Sequence, residues 1–181
     1  NDNLISFFHK VSFLFIEEER DFVKKGNEII IRGLEKKFYE AVFIPELNQE
    51  IFLKGTIDRI DDLNGTTRII DYKTGNITST NLSFKSWEEL ISLPKKGTLF
   101  QVMLYAYAQK NKFKNVTLYT GVIPIKNFDN QFLAVCQKQG RIKKPLLIDS
   151  NILKDYEKVL FKLLIEIFNP KTPFVQIEDK G

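Results

Sequence analysis

The chain has 181 residues, with 27 Lys and Arg against 23 Asp and Glu, a formal charge of +4, and 43% hydrophobic residues that include 16 Phe. That length suits one domain, the apolar content builds a core and excludes a disordered tail, and the small basic excess is compatible with a phosphate backbone without being diagnostic of one. One Cys and one His exclude an internal disulfide framework and any cysteine-built zinc or iron–sulfur site within these residues.

If a metal is used, its ligands are therefore carboxylates and backbone oxygens, which suit hard ions such as Mg²⁺ or Mn²⁺. No apolar run approaches the roughly 18 residues of a membrane span. Ser6, His9, Lys10 and Ser12 interrupt the first apolar stretch, so no signal peptide is read, and a cytoplasmic setting is expected. The opening Asn-Asp-Asn, without Met and inside a helical pattern, reads as the interior of a longer protein.

In chain order, Leu4, Phe7, Phe8, Val11, Leu14 and Phe15 recur at helical spacing, and Ile30, Leu34, Phe38 and Val42 do so again after Gly26. Two N-terminal helices are predicted, making residues 1–48 the helical part of a single domain and 49–181 its core and C-terminal helix. From Ile51 to Ile60 and from Thr67 to Lys73 the chain is rich in β-branched residues around Asp-Asp-Leu-Asn-Gly-Thr, which predicts a hairpin. Residues 74–97 read as a long loop with one short helix near Trp87. Thr98–Asn111 is predicted as a helix with Leu99, Val102, Met103, Tyr105 and Ala106 inward. Val116–Ile125 is a predicted strand, to which Phe132–Val135 returns through Asn127–Asn130. Ile152 to Phe168 make a last helix, stopped by Asn169-Pro170. This order predicts an α+β or mixed α/β fold, a sheet with helices packed on it.

The hairpin concentrates the chemistry. With Asn64-Gly65 central to a two-residue type I′ turn, equal steps along both strands set Asp58 directly opposite Asp71, with Cβ atoms about 4.5–5.5 Å apart. Two carboxylates so placed repel unless a cation lies between them. Lys73, two residues after Asp71, projects from the same face. The same spacing also fits an ordinary solvated strand face, and a turn one residue longer would separate the acids. A calcium loop fits Gly65 and Asp71 but leaves Ile60 where its first acid is needed. Arg59 alternates to the opposite face and reads as a structural salt-bridge partner.

Gly-Thr-Ile-Asp-Arg-Ile-Asp (55–61), Ile-Ile-Asp-Tyr-Lys-Thr-Gly (69–75) and Gln101-Val-Met-Leu-Tyr105 together resemble the PD-(D/E)xK nuclease superfamily, and closely its RecB/AddB branch. The resemblance implies a restriction-endonuclease-like core, a central mixed β-sheet with a catalytic hairpin flanked by helices. It implies Asp58 and Asp71 as metal-binding acids with the Tyr72 backbone carbonyl, Lys73 as catalytic lysine, and Gln101 and Tyr105 as the helix motif beside them. It implies a Mg²⁺- or Mn²⁺-dependent deoxyribonuclease acting in repair and recombination, with DNA and a helicase subunit or domain as partners. Ile57 stands where the superfamily has proline. His9 is the candidate for the branch's active-site histidine, although no glycine precedes it, and Glu46 and Glu50 are candidates for an upstream acid. Some relatives carry clustered cysteines after a segment like Pro173-Phe174, so an iron–sulfur cluster would need cysteines beyond these residues. A silent DNA- or helicase-binding module and a site-specific restriction-type enzyme are the competing expectations. Lys126, Arg141, Lys143 and Lys144 are candidates to flank the DNA path, against scattered surface lysines. No Walker A string occurs, so a helicase motor would lie elsewhere.

Overall fold

The structure is a computed structural model that describes residues 2–113, 116–125, 132–140, 142–171 and Pro173; for residues 2–8, 10 and 11 it describes the backbone alone. Helix α1 (Asp2–Lys24) leads into two long strands, β1 (Ile29–Ile44) and β2 (Gln49–Leu63), joined by a 3-10 turn at Pro45–Leu47. Strand β3 (Thr66–Lys73), short β4 (Ser83–Phe84) and helix α2 (Glu89–Ser92) follow, then helix α3 (Gly97–Ala108) and strand β5 (Leu118–Pro124). Strands β6 (Leu133–Ala134), β7 (Cys136–Gln139) and β8 (Ile142–Pro145) precede helix α4 (Ser150–Phe168). The main sheet runs β1-β2-β3-β5-β6, with β3 and β5 parallel and its other pairs antiparallel, while β4-β7-β8 form a separate small sheet. This is the mixed α/β architecture expected.

The second predicted helix is a strand. Residues Ile30, Leu34, Phe38 and Val42 recur every fourth position, and that interval keeps to one face of a strand as well as to one stripe of a helix. The distinction lies between those positions, where Ile29-Ile30-Ile31 and alternating Phe38, Val42 and Ile44 favour the pleat. Residues 1–48 are thus one helix and one strand, not a helical unit.

Other elements lie close to their predicted positions. Met103, Ala106, Leu99 and Val102 of α3 are fully buried against the sheet, beside Tyr156, Val159, Leu160 and Leu164 of α4. Asp149 caps α4, its carboxylate accepting from the Asn151 and Ile152 amides. Strand β6 returns antiparallel to β5 as expected, Gly121 pairing with Ala134 and Val122 with Leu133. The predicted turn at Asn127–Asn130, with Lys126, Arg141 and Phe174, lies outside the described residues. Gly121 is required at this crossing, since a Cβ there would sit 2.1 Å from the Leu133 carbonyl oxygen. Gly121→Ala should therefore destabilise the fold by about 1–3 kcal/mol, the usual cost of overpacking, because the obstructing atom is backbone and cannot rotate away. Equal urea midpoints for the two proteins would contradict this.

Helix α1 packs on the sheet face opposite α3. Glu19 accepts from Arg59 at 2.6 Å, and Phe15 meets Tyr72 edge-on with ring centres 5.5 Å apart. Beneath them Asp61 is fully buried. Arg68 grips it through Nε and Nη2, both at 2.8 Å, and Arg59 Nε donates to it at 2.7 Å. Arg59 also donates to the Tyr72 hydroxyl at 3.2 Å. This network fixes the back of the hairpin whose front carries the acid pair.

Candidate active site

The hairpin register is the expected one: Leu63 pairs with Thr66, Asp61 with Arg68 and Arg59 with Ile70, around Asn64 (φ 49°) and Gly65 (φ 80°). Positive φ at both central residues matches the primed turn that Asn-Gly favours. The next step along each strand brings Asp58 and Asp71 opposite one another at the point where regular pairing stops. Asp58 Oδ2 accepts from the Tyr72 amide at 2.8 Å, a side chain standing in for the ladder bond.

A second irregularity lies on the other side of Asp58. Leu34 pairs with Arg59 and Lys36 with Ile57, leaving Glu35 across from Asp58 with φ at 47°. Inward-facing positions change parity here, from Ile51, Leu53 and Ile57 to Ile60, so the strand turns Asp58 toward α3. Such bulge-like breaks re-aim side chains beside functional sites.

Asp71 is only 3% exposed. Lys73 Nζ lies 2.9 Å from its Oδ2 as an ion pair, off the hydrogen-bonding axis, so that this buried oxygen has no aligned donor among the described residues. Burial pushes the Asp71 carboxyl above the usual carboxylate range; Lys73 opposes that shift and the charge of Asp58 adds to it. Lys73 Nζ donates to Gln101 Oε1 at 2.7 Å, and Gln101 Nε2 in turn to the Tyr105 hydroxyl at 2.7 Å. Burial raises the Tyr105 phenol, and the Asp71 and Asp58 charges raise it further, so it stays protonated beside them. Five expected residues, Asp58, Asp71, Lys73, Gln101 and Tyr105, therefore form one connected cluster.

The Tyr72 carbonyl belongs to the same space. A strand residue directs its N–H and C=O to one side, and the Tyr72 amide is on the Asp58 side, whereas the Lys73 carbonyl accepts from Ile125 beyond β5. Two carboxylates and a carbonyl form an all-oxygen set that fits a hard divalent cation.

Other candidates stand apart. His9 is exposed on α1, and among the described residues no third His, Cys, Asp or Glu gathers on the acid pair. Glu46 and Glu50 sit at the far turn of the β1–β2 hairpin; Glu50 is eight strand residues from Asp58, roughly 26 Å at strand rise. Sequence proximity to the first strand misled because that strand is long and the site lies at its other end. Glu35 went unread, since only the β1–β2 register reveals it.

Removing one charge should relieve the repulsion. Asp58→Asn keeps an acceptor for the Tyr72 amide and should stabilise metal-free protein by about 0.2–1 kcal/mol, the range for cross-strand pairs. Thermal scans in chelator should show the variant melting above wild type, and a lower melting temperature would contradict the paired geometry.

A mixed sheet whose hairpin presents two acids and a lysine to a helix-borne Gln and Tyr is the arrangement that the sequence resemblance implies. The family model of the PD-(D/E)XK nuclease superfamily matches residues 8–179, and the chain belongs to that superfamily. It is similar to an ATP-dependent helicase/deoxyribonuclease subunit of Alkaliphilus metalliredigens (strain QYMF), with 30% identity over 148 residues that cover 75% of this chain. The chain spans 12% of that protein's length.

Proposed function

We propose that this chain is the nuclease domain of a helicase–nuclease subunit of the AddB/RecB kind, hydrolysing DNA phosphodiester bonds with Mg²⁺ or Mn²⁺ in the bacterial cytoplasm. The observation that carries the reading is the acid pair on one hairpin face, with Asp71 buried and its Oδ2 ion-paired to Lys73. A module that only gripped DNA would gain nothing from a repulsive, partly desolvated carboxylate pair.

Asp58, Asp71 and the Tyr72 carbonyl would hold the cation. When bound, it supplies activation of a water and neutralisation of phosphate charge. Lys73 is free to donate toward the attacking water or a phosphate oxygen, because its Gln101 contact fixes the ammonium without consuming all three protons. Tyr105 holds the Gln101 amide in the orientation that accepts from Lys73. The Lys73 charge opposes the rise that burial gives the Asp71 carboxyl. The helicase partner follows from the similar protein's name, and among the described residues no helix is long and apolar enough to cross a membrane.

The test is DNA cleavage by the chain with Mg²⁺ or Mn²⁺ and with excess chelator. Cleavage confined to the metal-containing reactions is expected. Cleavage that persists in chelator, or DNA binding without cleavage in either metal, would overturn the reading.

A further inference from the structure

A second confrontation of like charges stands away from the acid pair. In the β7–β8 hairpin Lys138 pairs directly with Lys143, so both ammonium groups leave the same face. Like charges in that position destabilise a sheet unless a counter-ion bridges them. Among the described residues neither lysine has an acid for a partner. Lys143 Nζ donates instead to Ser79 Oγ at 3.1 Å. Lys144 pairs with Gln137 and faces the other way.

A third cation reaches this corner from beneath. Lys96, 3% exposed, donates to the Thr80 carbonyl at 2.7 Å and to that of Ser83, the first residue of β4 beside β7. Burial first, then the charge of Lys138 with Lys95 and Lys143 behind it, holds the Lys96 ammonium below its usual range, against the opposing pull of Glu89. The loop carrying Ser79 and Thr80 is the one that leaves Lys73. Ser79 is six residues on, a span of at most about 20 Å. Duplex DNA advances about 3.4 Å per nucleotide on each strand, which puts the corner within roughly six nucleotides of Lys73.

We propose that the Lys138–Lys143 face is a phosphate-binding surface for the DNA backbone on its way to the acid pair. Converging lysines and a serine hydroxyl are the groups that grip phosphate without reading bases. DNA as the polyanion rests on the proposed nuclease function, and the loop's continuity with Lys73 favours it over an acidic protein.

The experiment is anisotropy titration of a labelled duplex with the 181-residue chain in chelator, over a series of salt concentrations. Lys138→Gln/Lys143→Gln should weaken binding on the order of tenfold and flatten the slope of log K against log salt by about 1.8. Lys112→Gln/Lys154→Gln, with the same loss of net charge from exposed helix and turn positions, should change neither by as much. Lys138→Glu, which restores an opposite-charge pair with Lys143 and so protects the hairpin, should weaken binding like the double variant. Unchanged affinity and slope, or an equal loss in the control, would overturn the proposal. Full DNA affinity with loss of polyglutamate binding would give the face to an acidic protein instead. Because the assay reads binding alone, a chain that never cleaves DNA but shows the lysine-dependent slope would lose the nuclease function and keep this surface.

Discussion

Replacing Lys73 by alanine should lower DNA cleavage by about 10²–10³-fold, the loss typical of deleting one preorganised donor to developing charge. Its ammonium sits 2.9 Å from Asp71 and 2.7 Å from Gln101, so the group is held in place before substrate arrives. The acids and the Tyr72 carbonyl are untouched by this change. Removing a cation from beside Asp71 also cannot weaken the attraction of the pair for Mn²⁺. Calorimetric Mn²⁺ binding should therefore persist, at equal or higher affinity, in a protein that no longer cleaves. Wild-type turnover in the variant would return Lys73 to an ordinary strand-face lysine.

The second large effect belongs to the back of the hairpin. Asp61 is fully buried, and both its oxygens are occupied by Arg68 while Arg59 shares one of them. Asp61→Ala leaves two guanidinium groups without their shared carboxylate, and Glu19 reaches only Arg59. Breaking a buried pair from one side costs about 3–5 kcal/mol, which for a chain of this size lowers the melting temperature by roughly 6–20 °C. Because the network clamps the strands that carry Asp58 and Asp71, cleavage should fall at temperatures below the melting transition too. A loss under about 1 kcal/mol in denaturant titration would mean that α1 and the two arginines are not tied through Asp61.

The site was legible in the sequence because its residues are local. Asn64-Gly65 set the register, and the strand period puts Asp58, Asp71 and Lys73 on one face without help from any tertiary contact. Gln101 and Tyr105 needed the family resemblance, since an i, i+4 pair on a helix says nothing about which sheet face it meets. Strand β1 was misread because a four-residue recurrence satisfies helix and strand alike. The misplaced Glu46 and Glu50, the unread Glu35 and the Lys138–Lys143 pair share one cause. Each depends on long-range or short-strand pairing, and Cys136–Gln139 and Ile142–Pro145 are too short and polar to announce themselves by pattern. The buried Arg59–Asp61–Arg68 network shows the same limit: alternation predicted the face of Arg59, but not that Glu19, 40 positions earlier, would meet it there.

A crystal of the chain soaked with Mn²⁺ and measured at the manganese edge tests the central claim most directly. The expected result is an anomalous peak within coordination distance of one oxygen from Asp58, Oδ2 of Asp71 and the Tyr72 carbonyl, absent from Asp58→Asn crystals treated identically. Manganese bound elsewhere, with Asp58 and Asp71 turned away from one another, would contradict it.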